Sequence, residues 1–176
     1  MASTMTPDGL KTRLTRLIEQ AERGEEVVIA KYGRPVQRAR PPRTFLDTNI
    51  LLYCDDPVNL AKQRRALELV LEHRAQRTGV VSLQVLQEYF YNATRKLGLD
   101  SGLVRQKVEA YARFEVVEPV AGDIFAAIDL HRLHHISYWD ALVVHCARKS
   151  GCRVVLTEDL QHGQEIDGVR IFNPFL

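Results

Sequence analysis

No stretch of this 176-residue chain approaches the roughly 18 consecutive apolar residues of a membrane-crossing helix, so no membrane partner is expected. Thr4 to Arg16 is polar and charged where a secretory signal would carry its apolar core. Cysteine is scarce. Cys54, Cys146 and Cys152 show no Cys-x-x-Cys spacing, and three thiols cannot all pair. They read as reduced, buried small residues of a cytoplasmic protein, and they argue against a zinc site. The glycine-rich phosphate loops Gly-x-Gly-x-x-Gly and Gly-x-x-x-x-Gly-Lys-Ser/Thr are missing, which argues against nucleotide binding by the usual loops. The Gly-x-Ser-x-Gly turn of α/β-hydrolases is missing too. Neither an internal repeat nor a low-complexity stretch occurs.

What the chain does have is an ordinary core: 45% apolar residues against 26% charged. Its net charge of +2 is unevenly spread. Residues 1–44 hold nine Lys/Arg against five Asp/Glu, and the remainder holds fifteen against seventeen. A basic N-terminal piece therefore precedes a slightly acidic body. That piece reads either as a solvated tail or as an element suited to nucleic-acid phosphate.

The hydrophobic pattern divides the chain at Pro41-Pro42, which support neither helix nor central strand. Before them, Leu10, Leu14, Leu17, Ile18 and Ala21 form one stripe of an amphipathic helix. A strand over Val27 to Ala30, a turn at Gly33-Arg34-Pro35 and a weaker strand over Val36 to Ala39 follow. Residues 1–42 thus read as a small helix and hairpin, and residues 43–176 as a second module. In that module, strands expected at Thr44–Asp47, Gly79–Ser82, Phe114–Val120, Val154–Thr157 and Val169–Phe172 alternate with helices. The helices span Asn59–His73, Leu83 to about Leu97, residues 101–112, Ala121–His134 and Trp139–Lys149. In the first of them Leu60, Leu67, Val70 and Leu71 are expected to point inward. Such alternation predicts an α/β fold with a mainly parallel sheet covered on both faces. Sheets of this kind bind ligands beyond the carboxyl ends of their strands, where Asp47 and Asp159 both fall.

Each candidate acid has a plainer alternative. Asp47 ends an apolar strand and could cap a helix, although Thr48 and Asn49 are better placed for that job. Glu88 shares a helix with the apolar residues Leu83, Leu86, Phe90, Ala93 and Leu97, and its polar neighbours Gln84, Gln87, Asn92 and Arg95 read as a solvated face. Asp140 stands three residues after Ser137, the spacing of a capping box. Asp159 follows Thr157 and Glu158 and could be a turn residue, with Glu158 able to take its place. His131, His134 and His135 lack the further ligand of a zinc site and read as surface residues. Trp139 and Tyr138 read as core or pocket wall rather than as stacking platforms.

Four pieces taken in order carry more than any one of them: Phe45-Leu46-Asp47-Thr48-Asn49-Ile50-Leu51, Ser82-Leu83-Gln84-Val85-Leu86-Gln87-Glu88-Tyr89, Ser137-Tyr138-Trp139-Asp140-Ala141-Leu142 and Leu156-Thr157-Glu158-Asp159-Leu160. Together they resemble the PIN-domain nucleases, in particular the VapC-type toxins of toxin–antitoxin pairs. The resemblance implies a three-layer α/β/α domain that cleaves single-stranded or looped RNA with Mg²⁺ or Mn²⁺. It implies Asp47, Glu88, Asp140 and Asp159 as the acidic, metal-binding set, with Thr48 and Asn49 as polar helpers. A dehalogenase-type phosphatase would want an acid where Asn49 stands. The leading segment, through Leu10 to Ile18, Arg23 to Ile29 and Gly33 to Val36, resembles the front of a Phd/YefM-type antitoxin without its toxin-embracing tail. It implies operator DNA, a cognate antitoxin and a homodimer as further partners, or else a non-catalytic remnant that dimerises or binds DNA.

Overall fold

A computed structural model of the chain describes residues 27–31, 34–39 and 42–176. The chain falls into two compact units, Met1–Pro42 and Arg43–Leu176. In the first, β1 (Val27–Lys31) pairs antiparallel with β2 (Arg34–Ala39). The second strand starts earlier than its side chains suggest, so Arg34 and Pro35 belong to it and not to a turn. Pro35 cannot donate to the ladder, and it sits opposite Ala30, beside the register shift between Ile29 and Ala30. The helix expected over Leu10 to Ala21 lies outside the described residues.

In the second unit the strands are β3 (Thr44–Leu46), β4 (Gly79–Ser82), β5 (Glu115–Val117), β6 (Val154–Leu156), β7 (Glu165–Ile166) and β8 (Val169–Phe172). They form one sheet in the order β5-β4-β3-β6-β8-β7, parallel throughout except for β7 against β8. This is the mixed α/β architecture expected. Phe45, Leu46, Val80, Val81, Val155 and Ile171 are all fully or almost fully buried, as β-branched and aromatic residues are in a sheet covered on both faces. From β3 the chain builds outward to β4 and β5 on one side, then returns to place β6 and β8 on the other. The β3/β6 junction is therefore the switch point of the sheet, where crevices open in folds of this kind.

The helices are α1 (Thr48–Tyr53), α2 (Leu60–Gln76), α3 (Leu83–Arg95), α4 (Ser101–Tyr111), α5 (Ala121–His134) and α6 (Tyr138–Lys149). Their starts follow from capping side chains. Asn59 accepts from Lys62 N at 3.1 Å, Ser82 from Val85 N at 3.2 Å and Ser137 from Asp140 N at 3.1 Å. Two apolar faces differ from expectation. On α2 the buried stripe is Ala66, Leu69 and Val70, while Leu60, Leu67 and Leu71 are exposed. On α3 the buried residues are Gln84, Val85, Leu86, Tyr89 and Ala93, and Leu83 and Phe90 are exposed. The strand expected from Phe114 to Val120 keeps only Glu115–Val117. Phe114 N closes a turn onto Tyr111 O at 3.0 Å, and Pro119 cannot donate to a ladder. The two-residue β7 was not expected at all.

No helix of the described residues is long and apolar enough to cross a membrane. Gly79, at the start of β4, is closely approached by His73 of α2 and by Phe114, the residue before β5. A Cβ there would lie 2.7 Å from Phe114 Cε1 and 3.2 Å from His73 Cβ. Gly79→Ala is expected to destabilise the protein by about 1–3 kcal/mol, because a packed ring must move. Urea denaturation monitored by circular dichroism checks this, and an unchanged midpoint would contradict it.

Candidate active site

The site begins where β3 stops. Asp47 N donates to Leu156 O at 3.1 Å, which extends the β3–β6 ladder by one step. The chain then turns into α1, and Asp47 is its N-cap, with Oδ1 accepting from Thr48 N at 2.7 Å. Thr48 and Asn49, expected to be the better-placed caps, instead lie within the helix, which starts at Thr48. Capping does not use up the carboxylate. Oδ2 accepts the Thr157 hydroxyl at 2.7 Å and the Asn49 amide at 3.3 Å. The side chain is only 5% exposed. Burial raises its pKa, the bonds from Thr157 and Thr48 hold it down, and the negative charges of Asp159 and Glu88 raise it again, leaving it at about 7.

The other three acids are brought to the same cavity by different elements. Glu88 is half-buried on α3. Its Oε2 accepts the Thr48 hydroxyl at 2.8 Å and its Oε1 the Gln84 amide at 2.8 Å. Gln84, Gln87 and Asn92 line this cavity; Gln84 is buried and Asn92 half-buried, which corrects their reading as solvated, while Gln87 and Arg95 are exposed as read. Asp140 sits in the first turn of α6, where Ser137 caps its N–H as the spacing predicted. The Ser137 hydroxyl donates back to Asp140 Oδ2 at 2.6 Å. Burial, then the charges of Asp159 and Glu88, raise the Asp140 pKa against that bond. Asp159, beyond β6, is exposed and accepts the Asn49 amide at 3.0 Å. All four acids line one cavity of about 800 Å³.

Thr48 and Asn49, expected as helpers, both touch the acids. The Asn49 amide group also reaches Thr157 Oγ1 at 3.0 Å, so one side chain spans Asp47, Thr157 and Asp159. Thr157 itself was missed as a site residue. Its signal was available: a hydroxyl at the end of a buried strand, two residues before an acid. Gln84 and Lys96 were missed as well, since a polar helix face does not announce a cavity. Glu158 does not replace Asp159, because its carboxylate is taken by the Lys62 ammonium and the Tyr53 hydroxyl. His131 and His135 are exposed and His134 is half-buried; none of the three lines the cavity.

The donor set is all oxygen, four carboxylates with threonine, serine and amide groups, which suits a hard cation such as Mg²⁺ or Mn²⁺. Burial raises the pKa of Asp47 and Asp140, and the charges of Asp159 and Glu88 raise both further. Among the described residues no three acidic, histidine or cysteine side chains converge closely enough to bind one ion directly. Mg²⁺ keeps several of its waters and uses one or two carboxylates, so a roomy cavity fits a hydrated ion. The residues present fit the group.

Residues 44–164 match the PIN domain. The chain belongs to the PIN domain family. Several solved structures are similar to it in fold. The sarcin–ricin-loop-cleaving toxin VapC20 of Mycobacterium tuberculosis is 17% identical with a TM-score of 0.55, covering 64% of this chain and 86% of that one. A DNA-bound VapBC structure from Salmonella typhimurium is 20% identical at a TM-score of 0.55, over 74% and 96%. FitAcB from Neisseria gonorrhoeae is 18% identical at 0.53, over 75% and 98%. A comparison with curated proteins finds no match.

The buried Asp47 has a consequence for stability. Its folded pKa of about 7 exceeds the ordinary 3.8, so between these values the folded state holds a proton that the unfolded chain has lost. Stability from this group therefore falls as pH rises through that window, and the full penalty remains above about pH 7. In chelator at pH 8, Asp47→Asn is expected to raise stability by about 2 kcal/mol, the burial penalty removed less the hydrogen-bond geometry an amide loses. The gain should vanish toward pH 4. Urea melts at the two pH values check it, and a variant less stable at both would contradict the assignment.

Proposed function

We propose that this PIN-domain chain is a toxin-type endoribonuclease that hydrolyses phosphodiesters of single-stranded or looped RNA with Mg²⁺ or Mn²⁺. One observation carries the reading: four carboxylates from four separate elements line a single cavity at the switch point of the sheet. Asp47, Glu88, Asp140 and Asp159 are the groups that would hold the cation. Bound there, a divalent cation supplies positive charge and Lewis acidity against a phosphodiester. The chain's own part is to hold the acids in place. Asn49 spans Asp47 and Asp159, Thr48 and Gln84 fix the two oxygens of Glu88, and Ser137 fixes Asp140. The structural relatives include VapC and VapBC proteins, which support the toxin class. A cognate antitoxin, operator DNA and a second copy are the further partners we propose on that basis. The three cysteines are free and buried, consistent with the cytoplasmic location proposed here.

Purified chain is expected to cleave pooled cellular RNA with Mn²⁺ or Mg²⁺ and to stop in excess EDTA. Asp47→Asn and Asp140→Asn should each abolish cleavage while the circular dichroism spectrum is unchanged. Asn49→Ala, which frees two acids without removing one, should raise the cation concentration needed for half-maximal cleavage by about 10-fold. Cleavage that persists in EDTA, or in both acid variants, would overturn the mechanism.

A further inference from the structure

The cavity has a feature that cation binding leaves unused. Beside the acids it is lined by two large aromatic side chains that are mostly in water, Trp139 at 58% and Tyr91 at 59% exposure. Single exposed apolar residues are ordinary on protein surfaces. Two on the walls of one polar cavity are less so. They come from separate elements, Tyr91 from α3 and Trp139 from the first turn of α6. Among the described residues the ring partner of Trp139 is Tyr138, edge-on with ring centres 5.2 Å apart, and Tyr91 has the Arg95 guanidinium 5.7 Å from its ring centre.

Charge gives these rings an orientation relative to a substrate. The four acids repel a phosphate backbone everywhere except where a cation stands between them. Among the described residues lining the cavity, Lys96 is the one cation. It also lines an adjoining cavity of about 330 Å³, which shares Thr48, Glu88, Asn92 and Asp159 with the first. A strand threading both lobes passes Lys96 in each. The attraction of its phosphates to Lys96 and to a cation at the acids would leave its bases for the aromatic walls.

We propose that Trp139 and Tyr91 form a stacking subsite for an unpaired nucleobase next to the cleaved phosphodiester, with Lys96 meeting a flanking phosphate. Aromatic stacking holds bases with little regard to identity and requires them to be unpaired. The subsite therefore selects single-stranded RNA over duplex, because a base inside a helix cannot reach the rings. The inference rests on the nuclease reading above, but its test separates the two.

Trp139 is the chain's only tryptophan, so indole fluorescence reports on this position alone. Full-length Asp47→Asn protein in Mg²⁺ is titrated with oligoadenylate and with an abasic ribose–phosphate oligomer of equal length and charge. Oligoadenylate is expected to quench Trp139 emission, and the abasic oligomer to leave it unchanged. In the otherwise wild-type chain, Trp139→Ala should raise KM for RNA by about ten-fold with kcat little altered, and Trp139→Phe should restore it. Lys96→Ala should lower the salt dependence of binding by about one phosphate contact. Equal quenching by both oligomers, no quenching, or an unchanged KM in Trp139→Ala would overturn the subsite while leaving cleavage itself standing. Base-dependent quenching by a chain that cleaves no RNA would keep the subsite and remove the nuclease reading.

Discussion

Four like charges gathered at one end of a sheet must be held against their own repulsion, and here neutral donors do it. Asp47 is bound by Thr48, Asn49 and Thr157, Glu88 by Thr48 and Gln84, Asp140 by Ser137 and Asp159 by Asn49. Cations are used elsewhere. Lys62 pairs with Glu158, Lys107 with Asp55 and Lys149 with Asp123. The difference matters physically. A lysine would fix an acid and cancel its charge, whereas a hydroxyl or amide fixes it and leaves the charge available. The pKa of Asp47 and of Asp140 is raised chiefly by burial, and the uncancelled charges of Asp159 and Glu88 add to it.

The fold makes the arrangement affordable by giving each acid an anchor that does structural work. Asp47 starts α1, Ser137 and Asp140 start α6, and Ser82 starts the helix that carries Glu88. The pairing of β3 with β6 brings Asp47 beside Thr157, 110 residues away in sequence. Losing any of these starts would misplace an acid as well as fray a helix. Capping and the chemistry proposed for Asp47 and Asp140 are compatible, because each side chain keeps an oxygen facing the cavity's other groups while it serves a helix start.

Much of the alternation of strands and helices was legible, because parallel strands read as short apolar runs and capping residues mark helix starts. Asp47 and Asp159 could be placed beyond the carboxyl ends of two strands, but not the order of those strands in the sheet. What misled was the inference from side-chain polarity to solvent. The face of α3 with Gln84, Gln87, Glu88 and Asn92 has the polarity of a solvated surface, and a polar cavity demands the same residues. Gln84 is buried there. The leucines of α2 failed in the opposite direction: Leu60, Leu67 and Leu71 fit a helical period but lie outside the narrow stripe that meets the sheet. Periodicity shows that a helix has an apolar side, and not how wide a side its neighbours will cover.

By itself the sequence determined that acids follow two buried strands and stand near two helix starts, since those are local consequences of apolar runs, caps and turn residues. It could not determine that they share a cavity. Asn49 reaching Asp159, Thr48 reaching Glu88, and Glu158 being drawn off by Lys62 all depend on which strands are neighbours. That adjacency comes from packing the whole sheet, because one residue's local preference carries no information about a partner 40, 96 or 110 positions away.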